Sequence, residues 1–312
     1  MKTLLCDLGG TNCRLGFALN GKVIEQSIHR FKNSLFATFS DLLKHYLSDE
    51  KDAPGAIIVA LAAPVGGDVI SLTNLNWKID RYEIMRSTMS NDVYFMNDFE
   101  ALGYALMRPQ DLTTKTLQTG SFVEGGQRLV LGAGTGFNCS LLLPEGNVVK
   151  CEAGHSTFVC ETEIDQALQG HFSKKFGRCS NDRVLSGSGL IELYRLICHL
   201  NGCSPKCESS EQLIQLASAS AETSESQACE EFSRILGRCV GDLALVFHAE
   251  GGIYLSGGVT RALETFFNSP KSKFFEAFRN KGRMQKSMNK LPLHVIMDDN
   301  AALYGCANLL NH

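Results

Sequence analysis

The sequence has no stretch approaching the ~18 uninterrupted apolar residues of a membrane-crossing helix. It also has no leader-like start. Met1-Lys2 runs straight into a strand pattern, without an apolar h-region or a small-residue cleavage site, so a cytoplasmic chain is expected. A surplus of one charge sign is missing too: the formal net charge of -3 gives no broad electrostatic case for nucleic acid or an acidic membrane. No CxxC pair occurs among the 12 cysteines. In a chain without a leader they read as reduced, partly buried thiols. Cys198, Cys203 and Cys207, with His199 and Cys179 nearby, have the wrong spacing for zinc.

What is present is an ordinary globular composition. The 312 residues are 44% hydrophobic, enough for two lobes with separate cores. One basic stretch, Lys271 to Lys290, interleaves lysines and arginines with Phe274, Phe275 and Phe278. It reads as a solvated face over a phenylalanine core stripe.

The run Leu5-Cys6-Asp7-Leu8-Gly9-Gly10-Thr11-Asn12-Cys13-Arg14 reads as strand, glycine turn, strand. Gly9 and Gly10 let backbone N–H groups approach an anion, while Thr11 and Asn12 add polar groups. Asp7 at the mouth of the turn suits a metal-bound phosphate, because Mg²⁺ shares its oxygen ligands between a carboxylate and phosphates. A plain β-hairpin is the other reading. A second copy, Leu129 to Leu131 followed by Gly132-Ala133-Gly134-Thr135-Gly136, repeats the pattern, and each copy continues through a further hairpin at Asn20-Gly21 or Glu145-Gly146. Two such meanders predict duplicated half-domains whose glycine turns hold one nucleotide's phosphates between them. Gly132 occupies the place of Asp7, so a metal has a carboxylate on one side only.

Along the chain, strands are expected at Lys2–Asp7, Cys13–Ala18 and Lys22–Arg30, then an amphipathic helix from Ser34 to Leu47. Ala56–Leu61 reads as a buried parallel strand. Asp80 with Glu83 caps a helix. Val93–Met96 is a strand ending at Asn97-Asp98 before another helix. Pro109 to Gly126 reads as loop, and helices dominate from Thr162 to Phe247. Within them, Glu208 to Gln227 fits either a solvated helix pair or a mobile insertion. Gly252–Leu255 is a strand leading to the Gly257-Gly258 turn, suited to a flat ligand or an anion at a helix start. Leu293–Met297 is the last strand, and Asp299 or Asn300 caps a helix over Ala301 to Leu310.

Three places carry chemistry. Asp98, at a strand's carboxyl end, is either a base for an attacking hydroxyl or a helix N-cap, with Asn97 beside it to hold that hydroxyl. Glu152 and His155 bracket Ala153-Gly154 and suit adjacent hydroxyls of a polyol; a locally satisfied histidine is the alternative. Asp182-Arg183 offers another carboxylate at a helix start.

Over nearly its whole length the chain resembles the bacterial-type glucokinases, ATP-dependent hexose kinases of the actin-like ATPase superfamily. The resemblance rests on Asp7 to Asn12, Leu72-Thr73-Asn74 with Trp77, Asn97-Asp98-Phe99, Gly134-Thr135-Gly136 and Glu152-Ala153-Gly154-His155. It continues through Arg183 to Leu190, Gly257-Gly258, Lys281-Gly282-Arg283 and the C-terminal helix. It implies an α/β, two-lobed actin-like ATPase (ribonuclease H-like) fold with a deep interlobe cleft. The small lobe would be 1–109 plus 298–312 and the large lobe 110–297. By the same resemblance, Asp98 is the catalytic base on the sugar 6-hydroxyl. Asn97, Glu152, His155 and Asp182 hold the sugar. Gly9, Gly10, Thr11, Asn12, Gly134, Thr135 and Gly136 take the ATP phosphates, Asp7 lies near Mg²⁺ without being a certain direct ligand, and Gly257 and Gly258 lie beside the adenosine. The activity implied is phosphorylation of glucose, by a homodimer. A hexose kinase of shifted sugar preference and a low-turnover sugar sensor are the alternatives.

Three departures from the family pattern stand out. Asp182 replaces a glutamate, which predicts a weakened sugar contact or a closer backbone. Ala153 replaces a glycine and restricts φ. Ala133 replaces a proline and is expected to loosen the entry to the second turn.

Overall fold

Short apolar runs punctuated by turn residues build the first of two units, Met1–Leu112 with Glu145–Val149 and Asp298–His312. The computed structural model describes residues 2–72, 75–220, 222–269 and 272–309; Met1, Thr73, Asn74, Lys271 and Leu310, named above, lie outside the described residues. β1 (Lys2–Leu8), β2 (Asn12–Leu19) and β3 (Lys22–Lys32) form the expected antiparallel meander. The helix expected from Ser34 is shorter. Asn33–Leu35 is a 3-10 turn, Thr38 caps by accepting from Asp41 N at 3.1 Å, and only Phe39–Tyr46 is α1. A capping threonine inside the periodic run decided the boundary, and Leu35 is left exposed.

β4 (Ala56–Leu61) is buried at every position and parallel to β1, as its continuous apolar run predicts. β5 (Val69–Ser71) and β6 (Lys78–Asp80) make a small hairpin. Asp80 Oδ1 then accepts from Tyr82 N and Glu83 N to start α2 (Arg81–Thr88). β7 (Asp92–Asn97) lies parallel to β4 and runs directly into α3 (Asp98–Ala105). The sheet order is β3-β2-β1-β4-β7.

The second unit, Thr113–Pro144 and Lys150–Met297, opens with a strand that the apolar pattern misses. β8 (Thr114–Gln118) falls within the stretch read as loop; it pairs with the last strand of its sheet and is polar and largely exposed, so it lacks an apolar signature. β9 (Arg128–Ala133) and β10 (Phe137–Leu142) follow, then β11 (Val148–Lys150), of which only Lys150 falls in this unit. Five helices come next: α4 (Glu163–Phe176), α5 (Asn181–Val184), α6 (Gly187–Leu200), α7 (Ser210–Ala219) and α8 (Ser224–Val246). The Ser- and Glu-rich segment before α8 is thus helical, and Leu213, Ile214 and Ala217 of α7 are buried in the core. β12 (Ile253–Ser256) leads to α9 (Gly258–Ala262), α10 (Glu264–Phe267), α11 (Lys273–Arg279), α12 (Gln285–Met288) and β13 (Leu293–Ile296). Phe274 and Phe278 of α11 are buried, as the stripe predicts, but the basic face is not simply solvated. Lys273 pairs with Glu231 at 2.8 Å and Lys281 with Asp242 at 2.6 Å.

The sheet order here is β11-β10-β9-β12-β13-β8. Its first five strands repeat the first sheet's order, with β9 in the role of β1 and β12 in that of β4; β8 is an extra edge strand. The duplication read from two glycine turns therefore extends to whole sheets. The chain ends in α13 (Ala301–Leu309), which belongs to the first unit. Its Leu303, Cys306 and Ala307 pack with Leu5, Ile58, Ala60, Met96 and Ala101. Among the described residues no helix is long and apolar enough to cross a membrane.

Candidate active site

The two glycine turns are built on one plan. In the first, Gly9 N donates to Asn12 O at 3.0 Å and closes the loop between β1 and β2. In the second, Gly134 N donates to Gly136 O at 2.8 Å between β9 and β10. Thr11 and Thr135 are exposed at the two turns. Both turns therefore present a short stretch of backbone and one hydroxyl, a donor set suited to phosphate oxygens.

Each turn is braced by contacts that motif reading did not find. Asn33 supports the first: its Nδ2 donates to Gly9 O at 2.8 Å and its N–H to Thr11 O at 2.9 Å, with the side chain fully buried. Its position after β3, where the helix was expected to begin, was the available signal. The second turn is braced at three points. Ala133 N donates to Thr260 Oγ1 at 2.9 Å, Gly187 N donates to Gly134 O at 2.9 Å, and Phe137 N donates to Asp182 Oδ1 at 2.8 Å. The expected loosening at Ala133 is overturned by the first of these. A proline has no N–H, whereas alanine ties the turn's entry to α9.

Asp7 and Arg14 are direct cross-strand partners, and Arg14 Nη1 lies 3.0 Å from Asp7 Oδ2. The corresponding pair in the second unit is Gly132 and Asn138. No side chain fits at Gly132: a Cβ there meets Ser256 O at 1.7 Å. The asymmetry between Asp7 and Gly132 thus has a packing cause in the parallel pairing of β9 with β12. Among the described residues no group of three or more His, Cys, Asp or Glu is arranged to hold a metal ion. With one carboxylate beside the turn, and that one paired to a guanidinium, the residues fit a Mg²⁺ carried largely by phosphates and water, and do not fit a protein cage.

Asp98 opens α3 at the carboxyl end of β7, half-buried, with Oδ1 accepting from Phe99 N at 2.9 Å. The N-cap is Asn97, not Asp98. Asn97 Oδ1 accepts from Phe99 N at 2.9 Å, and Glu100 returns the capping box by accepting from Asn97 N at 3.3 Å. Asn97 Nδ2 reaches Ala63 O at 3.3 Å, tying the cap to the end of β4. The two adjacent residues therefore divide two tasks: Asn97 fixes the backbone, and the Asp98 carboxylate is held at the helix N-terminus.

Glu152 and His155 flank a 3-10 turn, Ala153–His155, with Glu152 Oε2 and His155 Nε2 3.8 Å apart and both side chains exposed. Two exposed hydrogen-bonding groups that close together suit vicinal hydroxyls. Ala153 does not have positive φ, so the loss of glycine there brings no strain. Asn138 Nδ2 donates to Glu152 Oε2 at 3.4 Å. Cys151, just before Glu152, accepts a hydrogen bond from Cys139; that bond lowers the Cys151 thiol and raises Cys139. Asp182 belongs to the same cluster, since a Cβ on Gly154 comes within 3.2 Å of Asp182 Cβ. Its neighbour Arg183 turns away and stacks over Phe176 at 4.1 Å. Gly257, at φ 98°, caps α9, and Gly258 is exposed at its start.

The Glucokinase family model matches residues 4–312. The chain belongs to the glucokinase family. A glucokinase of Nitrobacter hamburgensis is 32% identical over 311 residues, covering 97% of this chain and 95% of that protein. Among solved structures, the glucokinase of an Antarctic psychrotroph superposes with a TM-score of 0.84 at 27% identity, covering 99% of this chain and 98% of the other. The Balamuthia mandrillaris glucokinase, solved in complex with glucose, gives a TM-score of 0.82 at 20% identity, over 100% and 94% of the two chains. The fold is that of the actin-like ATPases, and the duplicated sheets described above are this glucokinase-family chain's version of it.

Proposed function

We propose that the protein transfers the terminal phosphoryl group of ATP to the 6-hydroxyl of glucose, giving glucose 6-phosphate and ADP. The observation that carries this is the duplicated glycine turn with a carboxylate at one copy only, in a chain of the glucokinase family. The turns Gly9–Asn12 and Gly134–Gly136 take phosphate oxygens, and Gly257 and Gly258 lie along the adenosine. Mg²⁺, when bound, would neutralise phosphate charge, and Asp7, paired with Arg14, is the carboxylate that would lie near it.

On the sugar side, Glu152 and His155 hold adjacent hydroxyls, and Asn97 keeps Asp98 in place. Asp98 orients the 6-hydroxyl and accepts its proton late, as the oxygen bonds to phosphorus, because an aspartate is a weak base. Phosphoryl transfer asks mainly for positioning and charge stabilisation, and a rigid cap-and-turn framework supplies the first. By family likeness the protein works as a homodimer in the cytoplasm.

A coupled ADP-release assay across several hexoses tests the reading. Glucose-dependent ADP release is expected, with other hexoses slower. Sugar binding without sugar-dependent ADP would make the protein a sensor, and a faster rate with another hexose would move the substrate.

A further inference from the structure

We infer that Ser156 and Asn181 are positioning residues for the hexose, acting on the turn that carries Glu152 and His155. This deepens the hexose reading of that turn given above and rests on it. Glu152 and His155 are both exposed, so packing holds neither side chain in place. The backbone between them has to do so. The segment Ala153–His155 closes on itself through His155 N to Glu152 O at 3.0 Å and Ser156 N to Ala153 O at 3.1 Å. It is seated against β10, where a Cβ on Gly154 would meet Phe137 O at 1.9 Å.

A side-chain relay ties this turn to α5. Asn181 Nδ2 donates to Ser156 Oγ at 2.8 Å, and Ser156 Oγ donates to Ala153 O at 2.6 Å. A hydroxyl has one hydrogen to give and lone pairs to accept with, so both bonds form together in this direction. Asn181 N donates to Ser156 O at 3.1 Å and sets the register of the two segments. Asn181 opens α5, but the cap is Ser180, so the Asn181 amide serves the turn and not the helix. At the other end of the turn, Arg178 Nη2 donates to His155 O at 2.9 Å. Both ends of the turn are thus bound to the segment 178–181, one residue before Asp182 of the same cluster. Groups held before the ligand arrives lower the ordering cost of binding. Without the relay the turn presents Glu152 and His155 in several geometries. The loss falls on the hexose and not on the nucleotide, because the glycine turns have their own bonds at Gly9 and Gly134.

The experiment measures affinity for glucose, and separately for the magnesium complex of a non-hydrolysable ATP analogue, by calorimetry, with kcat from ADP release. Ser156→Ala is expected to weaken glucose binding about three- to tenfold, the scale of lost neutral hydrogen bonds. Asn181→Ala weakens it by no more than Ser156→Ala, and the double variant stays within about twofold of Ser156→Ala, because one relay is removed in each. Ser156→Thr keeps the hydroxyl, and the extended backbone there (φ -68°, ψ 156°) accepts a β-branched residue, so it stays within about twofold of wild type. Nucleotide affinity and kcat at saturating sugar also stay within about twofold, since a contact kept from ground state to transition state moves KM and not kcat. Unmoved glucose affinity in Ser156→Ala, an equal loss of nucleotide affinity, or a Ser156→Thr as weak as Ser156→Ala overturns the inference alone. If Ser156→Ala does not fold, Asn181→Ala decides by the same criteria. Glu152→Gln and His155→Ala are the controls and are expected to weaken glucose binding more than Ser156→Ala. If neither of them moves it, the hexose reading of the turn falls and this inference falls with it.

Discussion

Arg14 Nη1 donates to Asp7 Oδ2 at 3.0 Å across the β1–β2 pair, so the carboxylate that motif reading reserves for a metal already faces a guanidinium. Asp299 Oδ1 lies 3.8 Å from Arg14 Nη2 and extends the pair. Arg14→Met keeps the aliphatic stem and removes the charge, which exposes incoming phosphates to Asp7 without that counter-charge. The KM for ATP is expected to rise about tenfold, roughly 1.4 kcal/mol, while the KM for glucose holds. Steady-state kinetics at saturating sugar measure both; an unmoved KM for ATP places Arg14 outside nucleotide binding.

On the proposed function, Asp98 carries the chemistry and Asn97 the cap. Asp98→Asn is expected to lower kcat by about 10²–10⁴-fold, the usual weight of a positioned base, with a small change in melting temperature. Asn97→Ala is expected to reverse the weighting in stability, costing about 1 kcal/mol for the lost N-cap in urea titration. Near-normal turnover in Asp98→Asn removes that residue from the base role.

Asp182→Glu restores the residue that the family pattern carries. With Asp182 Oδ1 already 2.8 Å from Phe137 N, the longer side chain is expected to leave the KM for glucose unchanged or raise it. A lower KM for glucose means that the aspartate falls short of the sugar.

The second unit holds a buried ion cluster that sets an acid limit. Burial raises the Asp165 carboxyl, but hydrogen bonds from Arg234, from Glu161 N and from Arg238 outweigh it and hold Asp165 below the usual carboxylate value. Burial likewise opposes, and Lys273 and Arg234 overcome, the shift at Glu231. A folded pKa below the unfolded one gives stability that is fully present above the unfolded value, near ~4, and is lost as pH falls through the folded one. Melting temperature is expected to drop as pH falls below about 4. Asp165→Asn, which strands two guanidinium groups, is expected to cost about 3–5 kcal/mol and to flatten that acid limb.

Strand pairing, the duplicated turns and the placement of Asp98 at a strand end were legible because apolar runs and glycine turns leave strong local signatures. β8 was not, because an exposed polar strand such as Thr114–Gln118 is defined by its neighbour β13 and not by its own composition. The start of α1 was misread because periodicity continues through Leu35 and Phe36, while Asn33 and Thr38 set the boundary through hydrogen bonds. In the candidate site the motif residues were readable one by one. Their braces, Asn33, Thr260 and the Phe137 bond of Asp182, depend on contacts between residues far apart in sequence, which no local pattern encodes.

The packing of α13 orders events during synthesis. Leu303, Cys306 and Ala307 complete a cluster begun by Leu5, some three hundred positions earlier. A ribosome making this protein releases the whole of the second unit before the first can close around its final helix. The intervening half is therefore free to fold while the amino-terminal sheet, already carrying α3 on that face, still lacks its last helix. Fusions or truncations at the carboxyl terminus act on that last closing step, even though they lie far along the chain from the strand they leave uncovered.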